Sequence, residues 1–153
     1  PMITYRNLQE ALNRPYKWRR GISTAKSWKA TFTTPEKYKY EFQAVRIKKR
    51  WEVTFSLENP PKDTHSMGVT GSAGAGATRV FATVVQIFEV FVNEIKPFQI
   101  RFTADKTEGE RPTRAKLYAR FAKKFASAYG YDLETKDNVI DVDFMFTRRK
   151  KKK

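Results

Sequence analysis

The chain is 153 residues long, 40% hydrophobic and 14% aromatic, and its 31 Lys and Arg against 16 Asp and Glu give a formal charge of +15. That length fits a single domain around one core, and the absence of cysteine excludes a disulfide framework or a thiolate metal site. A charge of this size points to nucleic acid or another polyanion as partner, an anionic membrane or an acidic protein included.

Six of the positive charges lie in the polybasic tail, Arg148–Lys153, and a balance of +9 remains on residues 1–147, so the domain is basic in its own right. No run has the pattern of a signal peptide. The apolar stretch Val80–Ile95 is too short to span a membrane and is interrupted by Gln86, Glu89, Asn93 and Glu94. The sequence therefore reads as a cytoplasmic protein with no membrane span.

In chain order, Ile3–Asn13 suits a short amphipathic helix, capped by Thr4 or Asn7 and ended by Pro15. Tyr16–Gly21 (YKWRRG) interleaves aromatics with Lys17, Arg19 and Arg20, a pattern that can stack bases and contact phosphates. The plainer alternative, with more weight, packs Tyr16 and Trp18 on the core and leaves the cations in solvent.

Three strands follow. Ser27–Thr33 and Arg50–Leu57 alternate apolar and polar residues throughout, and Tyr38–Lys48 does so until Val45 and Ile47 change phase. Pro35 and the basic Lys48–Arg50 turn mark successive antiparallel hairpins. Glu58–Met67, with Pro60 and Pro61, is a loop. It carries His65, the only histidine, for which no motif supplies a catalytic neighbour.

Gly68, Gly71, Gly74 and Gly76 then cluster ahead of the apolar run Val80–Ile95. The run is long for a strand and stops before Pro97, so it reads as a buried helix, with Thr83, Gln86, Glu89, Asn93 and Glu94 on its narrow polar face. A glycine loop ahead of a helix turns backbone N–H groups toward the helix's positive end, where a phosphate can sit.

Gln99–Ala104 is a strand and Pro112–Tyr129 a helix. The helix has an apolar stripe through Tyr118, Phe121 and Phe125 and a cationic face of Lys116, Arg120, Lys123 and Lys124. Arg114 falls on the apolar side of its first turn, which calls for an acidic partner or a ligand. Gly130 suits the helix C-cap, Tyr131–Leu133 is short and extended, and Val139–Thr147 is the last strand. Its Asp141 and Asp143 share a face and read as solvent-facing or paired to lysines; with no third ligand they make no metal site.

The order of helix, three antiparallel strands, glycine loop, helix, strand, helix and strand gives an α+β domain over residues 1–147 with one central sheet. Over Trp28–Phe146 this order, with GSAGAG and AKLY, resembles the GNAT family of N-acetyltransferases. The resemblance implies a mixed, mostly antiparallel sheet flanked by helices. It also implies a pyrophosphate loop at Gly71, Gly74 and Gly76 for acetyl-CoA, and a strand Ile100–Ala104 that diverges to admit the pantetheine arm. Tyr118 would be the acid that protonates the departing thiolate. Gly71 stands where that family has Gln or Arg, and the spacing before Leu117 and Tyr118 is a residue short. The stretches VFATVV, IRFTADK and TRAKLYARFAKKFA also look like small uncharacterised proteins of tailed phages.

Three functions compete at this level, because a fold does not fix one. Charge over the whole domain favours a basic nucleic-acid-associated protein on a GNAT-like scaffold, non-catalytic or degenerate and phage-encoded. Its contacts would come from Lys17, Arg19, Arg20, Lys116, Arg120, Lys123, Lys124, Arg148 and Arg149. The glycine loop, Arg114 and Tyr118 favour an acetyl-CoA-dependent N-acyltransferase. A virion structural component, its tail on packaged nucleic acid, is the third.

Overall fold

The computed structural model describes residues 14–58, 75–105, 113–139 and 141–149. The expected Ile3–Asn13 helix, His65, Gly68, Gly71, Gly74 and the last four lysines lie outside these residues. The described chain forms seven strands and two helices: β1 (Arg19–Arg20), β2 (Ser27–Thr33), β3 (Lys39–Ile47), β4 (Arg50–Leu57), α1 (Ala75–Ile95), β5 (Gln99–Asp105), α2 (Thr113–Tyr129), β6 (Tyr131–Asp137) and β7 (Asp141–Arg148). One sheet holds all the strands in the order β1-β2-β3-β4-β5-β7-β6. Every neighbouring pair is antiparallel except β4 and β5, which run parallel and are joined by the crossover through α1.

Both helices pack on one face of this sheet. The alternating residues Trp28, Ala30, Phe32, Tyr40, Phe42, Ala44, Trp51, Val53 and Phe55 are buried beneath them, as are Ile100, Phe102, Val142, Phe144 and Phe146. From α1, Phe88 meets the rings of Phe42, Phe102 and Phe146 across the sheet and of Phe125 on α2 at 4.7 Å. Phe91 fills the space over Trp28 and Trp51. Edge-to-face rings at these distances add directional attraction to the burial of apolar area.

The other face is polar and half-exposed, as expected of an antiparallel sheet covered on one side. Val45 and Ile47 lie on it without a change of phase; the alternation of β3 runs unbroken and Arg46 merely emerges at the strand's end.

Four further sequence expectations are corrected. The chain makes two strands more than expected: β1, which pairs Arg19 with Thr31, and a full seven-residue β6 in place of the short Tyr131–Leu133 segment. Beyond Leu133 this edge strand carries only polar residues, so its apolar alternation fades while its ladder continues. Thr83 does not share the exposed polar face of α1. It is fully buried, its hydroxyl donating to the Arg79 carbonyl at 2.7 Å and accepting from the Tyr16 amide at 2.8 Å. The partner of Asp143 is Arg101, at 3.2 Å, not a lysine. The expected helix start moves from Val80 back to Ala75, which puts Gly76 inside the first turn of α1.

Gly130, with φ +75°, closes α2 as the sequence suggests. No helix among the described residues is long and apolar enough to cross a membrane.

Candidate functional site

The sheet forks at its one parallel pair. The β4–β5 ladder runs from Arg50 opposite Gln99 to Val53 opposite Phe102 and then ends. Both strands go on. β4 stays paired to β3 up to Leu57 opposite Tyr40, and β5 stays paired to β7 up to Asp105 opposite Asp141. Among the described residues, the inner edges of Thr54–Leu57 and Thr103–Asp105 are thus not laddered to one another. Backbone amides and carbonyls on such edges call for partners.

The fork opens at the end of the sheet where both parallel strands finish. α1 and α2 each start after a strand that ends there, so their positive N-termini stand at the same end. Crevices at the carboxyl ends of parallel strands are the usual ligand sites of sheets with crossover helices.

Tyr118 lies beside the fork. Its ring lies 5.6 Å from Phe102, the last β5 residue in the ladder, and 5.6 Å from Phe81 of α1. It is buried, as a member of the apolar stripe should be. Gly76 lies in the first turn of α1 and Arg114 in the first turn of α2; the side chain of Arg114, like that of Lys116, lies outside the described residues. Arg79, on the next turn of α1, is engaged in structure. Its Nε donates to the Arg14 carbonyl at 2.9 Å and its guanidinium sits 4.0 Å over the Tyr16 ring.

The YKWRRG segment takes the plainer of its two readings. Tyr16 stacks on Phe32, and Trp18 packs near Trp28 while its Nε1 donates to Gln86 at 2.9 Å. Lys17 and Arg19 are exposed, whereas Arg20 is ion-paired with Glu94 and lies 5.8 Å over the Trp28 ring. Arg120, Lys123 and Lys124 are exposed on α2, at the opposite edge of the molecule. Arg149 pairs with Asp132 at 2.8 Å, and Arg148 donates to the carbonyls of Lys96 and Pro97. The described cations singled out from sequence thus lie in two groups, at the β1 edge and on the α2–β7 side.

The open face carries a polar network that the sequence did not disclose. Arg50 and Arg101 both reach Glu52, at 3.1 and 3.3 Å, and Arg101 also reaches Asp143. Asp143 further accepts from the Thr103 hydroxyl at 2.6 Å and from Asn138. The Thr103 hydroxyl, then Arg101 and Asn138, hold the Asp143 carboxyl below its ordinary range against the opposing effect of burial. The signal lay in strand register, which aligns Glu52 with Arg101 and Thr103 with Asp143 and is not legible in one strand at a time. Among the described residues, no group of three or more His, Asp or Glu is placed to hold a metal.

Compared with protein-family models and with curated proteins, the chain matches none.

Proposed function

We propose that this protein is a GNAT-like acyl-CoA-binding protein, an N-acyltransferase whose cofactor lies in the β4–β5 fork. The observation that carries the reading is the ladder that stops at Val53 and Phe102 while both strands continue beside their outer partners. An amide-bearing pantetheine arm is suited to such a gap, since its alternating donors and acceptors can complete the two exposed strand edges. The pyrophosphate would then meet the segment from Gly71 to Gly76 at the positive end of α1. Tyr118, whose ring lies 5.6 Å from Phe102 beside the point of divergence, would return a proton to the thiolate.

Calorimetric titration with acetyl-CoA, in salt high enough to suppress diffuse attraction to the +15 chain, tests this reading. One-to-one micromolar binding is expected, weakened about tenfold or more, some 1.4 kcal/mol, in Gly74→Val and Gly76→Val proteins of unchanged melting temperature. No heat and no competition by CoA would rule the cofactor out. Undiminished binding in both variants would rule out the glycine segment.

A second reading, association with nucleic acid, draws on a different observation: the exposed cations Lys17, Arg19, Arg120, Lys123 and Lys124 together with the basic tail. The two readings rest on different residues and are compatible.

A further inference from the structure

The end of the sheet away from the fork collects cations that lie far apart in sequence. There β4 and β5 begin and β3 and β7 finish. Lys48 and Lys49 form the two-residue turn between β3 and β4, and Arg46, the last residue but one of β3, lies beside Lys26, whose carbonyl accepts from the Arg46 amide at 2.8 Å. Lys96 follows α1, and the Arg148 amide donates to the Phe98 carbonyl at 2.9 Å. Neighbouring strands are about 4.8 Å apart, so the ends of β3, β4, β5 and β7 set these cations along a row of roughly 15 Å.

Two guanidiniums in the row are fixed in place: the Arg46 Nε donates to the Lys48 carbonyl at 2.9 Å, and Arg148 donates to the carbonyls of Lys96 and Pro97. Acidic side chains nearby are already engaged, Glu94 by Arg20 and Asp132 by Arg149. Within this row Phe98 is 46% exposed, an aromatic ring set among cations, and the chain leaves β7 here into the Lys150–Lys153 tail.

We infer that this end of the sheet is a docking surface for single-stranded nucleic acid, with phosphates on Arg46, Lys48, Lys49, Lys96 and Arg148 and a base stacked on Phe98. The inference deepens the second reading above and does not depend on the cofactor. Fixed cations that track a backbone beside a stacking ring are what non-specific single-strand binding needs. A membrane surface fits less well: the row consists of turns and strand ends, with no amphipathic helix to lie in the bilayer interface.

Lys48 and Lys96 supply a clean test. They hold φ values of +60° and +52°, a region that favours glycine. Lys48→Gly/Lys96→Gly therefore removes two charges while relieving backbone strain. Polarisation of a fluorescein-labelled 20-nucleotide DNA strand is measured on the full-length protein across a salt series. Wild type is expected to bind with a steep salt slope. The double variant should bind more weakly with that slope reduced by about 1.4, since each lost contact removes about 0.7, and with a melting temperature equal or higher. Phe98→Ala should weaken binding about tenfold at an unchanged slope.

Absence of binding at low salt would overturn both this inference and the second reading. Wild-type affinity and slope in the double variant would overturn the surface alone. Cosedimentation with phosphatidylserine vesicles that the DNA strand fails to compete away would assign the surface to membrane instead.

Discussion

Asp143 shows how much one side chain can carry on a face that looks merely solvated. It accepts from Thr103, Arg101 and Asn138, and so ties β5, β7 and the β6–β7 turn together. Its pKa is lowered from 3.8, so its contribution to stability is fully present above the unfolded value and is lost as the pH falls through the folded one. Asp143→Asn should cost about 1.5–3 kcal/mol at pH 7, a range set by hydrogen bonds to a charged acceptor. In thermal melts at stepped pH the deficit should shrink below pH ~4 and vanish once the wild-type carboxyl is protonated. A deficit unchanged at low pH would mean that the loss lies in packing. Arg101 answers from the other side: Asp143, then Glu52, hold its guanidinium more firmly protonated than usual.

At the scale of elements, α1 is the part that the rest rests on. It covers the sheet from β2 to β7 through Phe88 and Phe91, and through Thr83 it also pins the incoming segment at Tyr16. Thr83→Val keeps the shape but leaves the Tyr16 amide without its acceptor in a partly buried setting. A loss of about 1–3 kcal/mol in urea unfolding is expected, and an unchanged midpoint would show that the segment is not held there. The strands β2 and β4 and the cores of α1 and α2 were legible in the sequence because their alternation or helical stripe is carried by aromatic and β-branched residues. β6 was not, since an edge strand with one buried half shows its period only through Tyr131 and Leu133. β1 was not, because two exposed arginines have no period at all. The fork and the cationic row belong to a class that no local pattern reveals. They arise from which strands become neighbours, and Lys26, Arg46, Lys48 and Lys96 become one row only when β2, β3, β4 and β5 are side by side.

For the whole molecule, the two signs of charge are distributed unevenly. Glu41, Glu52, Asp132, Glu134, Asp141 and Asp143 lie on strands of the half-exposed sheet, where Lys29, Lys39, Arg50, Arg101 and Lys136 come close to balancing them. The excess of positive charge is thereby left to the strand ends, the outer face of α2 and the tail. A polyanion approaching such a molecule is steered toward its ends and not spread over its surface.

The short parallel ladder has a mechanical meaning as well. On one side stands a meander of β1–β4, on the other a plate of β5, β7 and β6, and four rungs of backbone pairing join them beneath α1. With four paired positions against seven in β2–β3, this seam carries little backbone pairing between the two halves of the sheet. Hydrogen–deuterium exchange should therefore reach the β4–β5 rungs before the β2–β3 ladder, and a wedged ligand should slow exchange along the seam while leaving the outer strands alone.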